Sequence, residues 1–202
     1  MSDDHYFTAE PASDDERRRI PVRLADRDVE VETAGGIFSP GHIDLGTQVL
    51  LRHLPDAPAG EVLDLGCGWG PLALTAALST ADARVTAVDV NRRALDLAAR
   101  NAARLGVADR VRAVPPEDVD PALRFDAIWS NPPIRIGKDA LHTLLATWLP
   151  RLVPGAEAWL VVQRNLGADS LARWIGEQGW GEIEKVASAK GFRVLRLTRA
   201  AS

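Results

Sequence analysis

The sequence predicts an α/β domain: a mostly parallel, seven-stranded sheet with helices on both faces and an antiparallel pair at one edge. Three observations carry the prediction. From Glu61 onward, apolar runs of strand length alternate with helical patterns. The last two strands have only a short "AKG" between them, enough for a hairpin and too little for a parallel crossover. The 202 residues, 46% hydrophobic and 26% charged, have the size and balance of one globular unit.

Residues 1–19 are polar and end in "DDERRR", which reads as a flexible arm, with a basic RNA-binding arm as the alternative. "IPVRLADRDVEVET" alternates apolar and polar residues on both sides of a polar turn, as a β-hairpin does. "GGIFSPGH" is a loop, and "IDLGTQVLLRHL" has helical spacing with Asp44 placed to help its start. Residues 20–60 are thus read as a hairpin and lid helix packed on a core domain of 61–202.

Within the core, "EVLDL" is the first strand and runs into a glycine loop. "PLALTAALS" follows as a helix, its Pro71 sitting where the first turn needs no donor. "ARVTAVDV" is a strand, and "NRRALDLAARNAARLG" an amphipathic helix closed by Gly106. "RVRAV" and "FDAIWS" are strands separated by "PPEDVDPALR". The helix "DALHTLLATWLPRL", the strand "EAWLVVQ", the helix "ADSLARWIGEQG" and the strands "EIEKVAS" and "FRVLRLT" complete the pattern.

A net charge of -4 and a pI near 5.6 exclude a global basic field, so a nucleic-acid partner needs a local basic patch. The one cysteine, Cys67, rules out an internal disulfide. The four histidines, His5, His42, His53 and His142, have no metal-ligand spacing, so no metal is expected. "MSDDHYFTAE" is not a signal peptide, and no stretch is apolar enough to span a bilayer. These features predict a cytoplasmic protein, expected to be a monomer.

The first core strand ends in Asp64-Leu65-Gly66-Cys67-Gly68-Trp69-Gly70. Glycines let the chain turn tightly and admit a ligand to bare main chain. The next strand ends in Asp89, at the distance where an acid holds ribose hydroxyls. A dinucleotide site wants G-x-G-x-x-G and a phosphate on the helix end. Here the order is G-x-G-x-G, proline follows, and Asp64 repels a pyrophosphate. A cofactor with an amino-acid end, such as S-adenosylmethionine, fits better. Cys67 and Trp69 read as packing, since no histidine lies near the thiol.

The strand "FDAIWS" runs into "NPPIRIGK", where two prolines stop it and stiffen the turn. Together "VLDLGCGWG", "VTAVDVN" and "FDAIWSNPPI" resemble the class I S-adenosylmethionine methyltransferases that modify exocyclic or amide nitrogens. "HYFTAEP", "GGIFSPGHIDLGTQVLL" and "NPPIRIGK" resemble more narrowly a compact branch of the small-domain methyltransferases, related to the ribosomal RNA guanine-N2 enzymes. The resemblance covers nearly the whole chain and implies a Rossmann-like fold.

It also implies roles. Asn131 and the Pro132 carbonyl are the expected catalytic acceptors for the two N–H bonds of the target nitrogen. Asp64, Gly66, Cys67 and Gly68 line the methionine end, with Thr47 closing over it. Asp89 takes the ribose, Val90 packs on adenine, and Glu117 or Asp118 meets the adenine amine. Phe38, Pro133, Ile134, Arg135 and Lys138 face the substrate. Ile134 stands where the guanine-modifying relatives usually place a stacking aromatic. The implied reaction is methylation of guanine N2 in structured, ribosomal RNA, leaving S-adenosylhomocysteine. A protein glutamine, a small-molecule nitrogen, or a non-catalytic cofactor-binding assembly factor are the alternatives.

Overall fold

The computed structural model describes residues 10–133 and 136–201. Ile134 and Arg135, both read as substrate-side residues, lie outside the described residues. A two-stranded antiparallel hairpin, β1 (Arg18–Leu24) and β2 (Arg27–Thr33), precedes the main unit. Its two-residue turn puts Ala25 and Asp26 at φ 46° and 59°, the left-handed pair that matches strand twist. The short helix α1 (Leu45–Leu51) follows.

The seven-stranded sheet has the order β5-β4-β3-β6-β7-β9-β8. Its strands are β3 (Gly60–Leu65), β4 (Ala83–Val88), β5 (Val111–Val114), β6 (Phe125–Ser130), β7 (Leu152–Gln163), β8 (Gly181–Ala189) and β9 (Phe192–Arg199). Pairing is parallel from β5 through β7, and β9 joins antiparallel to β7 and to β8. The chain winds outward from β3 to β5 and then returns to place β6 on β3's other side. The carboxyl ends of β3 and β6 therefore flank the switch point where open α/β sheets bind ligands.

Both sheet faces are covered. On one side Val62, Ala127, Trp129, Val161 and Val194 share a core with α1, which lies on β7 and β9, and with α2 (Pro71–Ser79) and α3 (Arg92–Arg104). On the other, Leu63, Leu65, Ile128, Leu160 and Leu195 meet α4 (Lys138–Trp148) and α5 (Ala168–Glu177). Strands buried on both faces read as continuous apolar runs, which explains "FDAIWS". In α3, Leu95, Leu97, Ala98 and Ala102 are buried while Arg100 faces outward and pairs with Asp96 at 2.9 Å.

Several boundaries differ from the sequence reading for local reasons. Residues 10–17, expected within the flexible arm, lie against the hairpin and α3. Arg93 donates to the Glu10 carbonyl at 2.7 Å and Arg17 donates to the Ala12 carbonyl, with Ala12 only 4% exposed. The strand after them starts at Arg18, not Ile20. The helix "DALHTLLATWLPRL" stops at Trp148 and continues as a 3-10 turn, Leu149–Arg151, because Pro150 has no N–H to give. Strand β7 begins at Leu152, with an irregularity against β6 where Pro154 and Gly155 interrupt the ladder.

Candidate active site

The turn after β3 is built for close approach. Gly66, Gly68 and Gly70 take φ of 80°, 54° and 97°, which other residues adopt only with strain. The main-chain N–H groups of Gly66 and Cys67 both donate to the Val88 carbonyl, at 2.8 and 2.9 Å, so the loop is sewn to the end of β4. A side chain added at Gly70 would press on Ala98 at 3.4 Å, whereas one at Gly68 would meet nothing within 4 Å. Gly70 thus serves helix packing, and Gly68 borders open space.

Two acids flank that space. Asp64 is 1% exposed; its Oδ2 accepts from the Ala73 N–H at 2.9 Å, while its buried Oδ1 has no partner. Burial pushes this carboxyl from its ordinary 3.8 up to about 7, with the Asp89 charge adding and the Ala73 N–H opposing. Asp89 accepts from the Gly68 N–H and the Asn91 N–H, each at 2.9 Å. Burial raises its carboxyl as well, opposed by those main-chain donors. An orphaned buried carboxylate oxygen beside an open glycine suits the ammonium of an amino-acid moiety, so the residues fit an S-adenosylmethionine-type group.

The same pocket receives the turn after β6. Ser130 Oγ donates to the Leu65 carbonyl at 2.7 Å and ties the ends of β3 and β6 together. A Cβ built on Gly66 would lie 3.9 Å from the Asn131 carbonyl oxygen. Asn131 donates through Nδ2 to Asp44 Oδ2 and to Thr47 Oγ1, both at 3.0 Å. Its Oδ1 has no protein donor among the described residues. Pro132 is buried and Pro133 exposed.

Phe38, Asp44, Thr47, Asp64, Gly66, Cys67, Gly68 and Asn131 all line this one pocket. The lid loop that carries Phe38 is fastened to the start of α3, where Asn91 Nδ2 donates to the Gly36 carbonyl at 2.9 Å and Arg93 to the Gly35 carbonyl at 3.0 Å. Val90, 51% exposed, follows Asp89 on the open side of the loop. Glu117 and Asp118 form an exposed 3-10 turn after β5, and Lys138 starts α4 in solvent. Cys67 is buried and its thiol is pushed well up by burial and the two nearby aspartates, which makes it a poor nucleophile. Trp69 is buried, and its carbonyl accepts from Asn101.

Sequence reading missed what holds these parts together. Asp44 reads only as a helix start, yet it also reaches Asn131. Asn101 looks like one more polar residue of α3. It is fully buried and joins the Glu32 main chain to the Trp69 carbonyl. A buried asparagine on the apolar face of an amphipathic helix was the available signal.

Among the described residues no group of three or more His, Cys, Asp or Glu is placed to hold a metal, and no helix is long and apolar enough to cross a membrane. A glycine loop after β3, an acid after β4 and a seven-stranded sheet whose one reversed strand, β9, lies between β7 and β8 make the fold of the class I S-adenosylmethionine-dependent methyltransferases. Comparison with known proteins agrees. Residues 28–196 match the methyltransferase small domain model, and the chain belongs to that family.

Among its relatives, the uncharacterised protein YbxB of Bacillus subtilis is 30% identical, covering 96% of this chain and 97% of YbxB. The ribosomal RNA small subunit methyltransferase C of Pseudomonas entomophila is 35% identical over 97% of this chain. The chain spans only 58% of that enzyme. The T. thermophilus 16S rRNA N2 G1207 methyltransferase, solved with AdoMet and guanosine, shares the fold at a TM-score of 0.79. It is 24% identical, and the match covers 95% of this chain and 52% of that one.

Proposed function

We propose that this chain is an S-adenosylmethionine-dependent N-methyltransferase acting on guanine N2 of structured ribosomal RNA. The observation that carries this is the convergence of Asn131 and Asp64 on one pocket, Asn131 with its amide nitrogen tied back and Asp64 with a bare oxygen. Asp64 and the loop main chain hold the methionine end, Asp89 the ribose, Val90 and Glu117 or Asp118 the adenine. When bound, the cofactor supplies a methyl group already activated on a sulfonium. Asn131 Oδ1 and the Pro132 carbonyl accept the two N–H bonds of the target amine, which draws its lone pair out of conjugation. The prolines fix both acceptors in advance, and such groups are typically worth about 2.7–4 kcal/mol each. No strong base is required, because the nitrogen carries positive charge once methylated and then loses its proton to water.

The names of the Pseudomonas and T. thermophilus relatives support RNA and guanine N2 as target and chemistry. So does a basic rim on the same edge of the sheet. Arg164 donates its N–H to the Gly191 carbonyl at 2.8 Å, which sets it beside Lys190. Asp169, on the helix that follows, is taken by Lys185 and Arg193, and among the described residues Arg164, Lys190 and Lys138 make no ion pair, which suits them to phosphates. Action on cytoplasmic RNA by a monomer goes with this reading. Ile134, in place of an aromatic, favours a second reading in which the target is a protein glutamine or a small-molecule nitrogen. Labelled methyl groups from S-adenosylmethionine, followed into total RNA and total protein, separate the two. Label in RNA supports the first reading. Label in protein supports the second. No transfer at all leaves a cofactor-binding assembly factor.

A further inference from the structure

We infer that Asp44 is a positioning residue of the reaction: its carboxylate sets which way the Asn131 amide faces. The inference rests on Asn131 as the acceptor of the target N–H. An asparagine amide has two ends of nearly equal shape, one accepting and one donating, and only the oxygen serves an amine substrate. The two groups behind Asn131 differ in what they tolerate. Thr47 Oγ1, 3.0 Å from Nδ2, is a hydroxyl and can pair with either end. Asp44 Oδ2, also 3.0 Å away, is a carboxylate oxygen that only accepts. A flipped amide would set oxygen against oxygen there, so Asp44 alone enforces Nδ2 inward and Oδ1 toward the pocket.

The carboxylate is itself held. The same Oδ2 accepts from the Gly46 N–H at 2.8 Å and the Thr47 N–H at 3.4 Å, capping α1. Gly46 in turn is wedged against Phe192, where an added Cβ would lie 2.9 Å from the ring. α1 therefore cannot shift without disturbing β9, which ties the cap and the amide to the sheet. A charged acceptor on Nδ2 also polarises the amide and makes its oxygen a better acceptor for the incoming N–H.

The two duties of Asp44 can be separated. Asp44→Ser keeps a good helix cap but is too short to reach Asn131. Asp44→Asn keeps an oxygen toward the cap donors and Asn131, and loses only the charge. With small-subunit ribosomal RNA as the probe, Asp44→Ser lowers kcat at least 30-fold with cofactor Kd within threefold, and Asp44→Asn recovers most of that loss. In an Asn131→Ala background, Asp44→Ser has no further effect. Hydrogen exchange of the Asn131 side-chain amide in 15N-labelled protein reads the same contact without a substrate. Asp44→Ser accelerates it at least tenfold and Asp44→Asn leaves it slow. Unchanged exchange in Asp44→Ser, or effects of Asp44→Ser and Asn131→Ala that multiply, overturns the inference. A wild-type protein inactive on RNA contradicts the proposed substrate instead, and the exchange measurement still decides the role of Asp44.

Discussion

Around Asp64 the site is held by main chain; around Asn131 it is held by side chains from a distant part of the sequence. The glycine loop takes its shape from amide hydrogen bonds to Val88 and from helix α2, whose Ala73 N–H fixes one oxygen of Asp64. The asparagine turn depends on a contact between residues 87 positions apart. On the proposed roles, the cofactor half is thus preformed by strand ends and α2, while the target half needs α1 in place. The first half defines a fold class with many chemistries, and the second specialises it.

The difference is tested most severely by Asn131→Ala. Turnover should fall about 100- to 1000-fold, the loss typical of removing one preorganised acceptor, with cofactor affinity within several-fold. Single-turnover methylation and calorimetry measure the two quantities, and unchanged turnover would reduce the turn to a strand stop.

Gly68→Ala probes the other half. Its Cβ enters the open space that Gly68 borders, at a φ of 54°. Cofactor affinity should drop about tenfold, with a strain of roughly 1–2 kcal/mol. Gly106→Ala is the matched control, since Gly106 has φ 71°, nothing within 4 Å and a place at the end of α3. It should lose similar stability by thermal unfolding and keep its affinity. Equal affinity losses in the two variants would place the effect on the fold rather than the pocket.

The raised Asp64 carboxyl predicts a pH dependence confined to the cofactor half. An ammonium binds the ionised form, which grows from about a tenth at pH 6 to about nine tenths at pH 8 for a group near 7. Cofactor affinity should therefore rise about tenfold over that range and release a proton on binding, while Asp64→Asn flattens the profile. In the ligand-free protein the sign reverses. A carboxyl raised in the folded state contributes stability that is complete below 3.8 and is lost as pH rises through about 7. Calorimetry in buffers of different ionisation enthalpy reads the proton directly.

The smallest effect belongs to Cys67. With its thiol buried and held protonated, Cys67→Ala should change turnover less than about twofold and remove slow alkylation. A hundredfold loss would assign it chemistry.

Much of this architecture was legible in sequence because it is local. "FDAIWS" and "PLALTAALS" match β6 and α2 residue for residue, since apolar runs, glycine and proline act within a few positions. The glycine loop and Asp89 follow from spacing alone, as both sit at strand ends. Asp44 was visible only as a cap, because capping is a contact over three residues and its reach to Asn131 is not. The anchoring of residues 10–17 by Arg93 was hidden for the same reason, spanning 83 positions. Long-range polar contacts leave no period in a sequence, and these assemble the target half.

The claim that joins both halves is methyl transfer to an exocyclic guanine nitrogen. The protein, labelled S-adenosylmethionine and small-subunit ribosomal RNA are incubated, and the RNA is digested to nucleosides for mass spectrometry. Label in N2-methylguanosine, absent with Asn131→Ala, is the result predicted. Label in another nucleoside, or in protein alone, would contradict it.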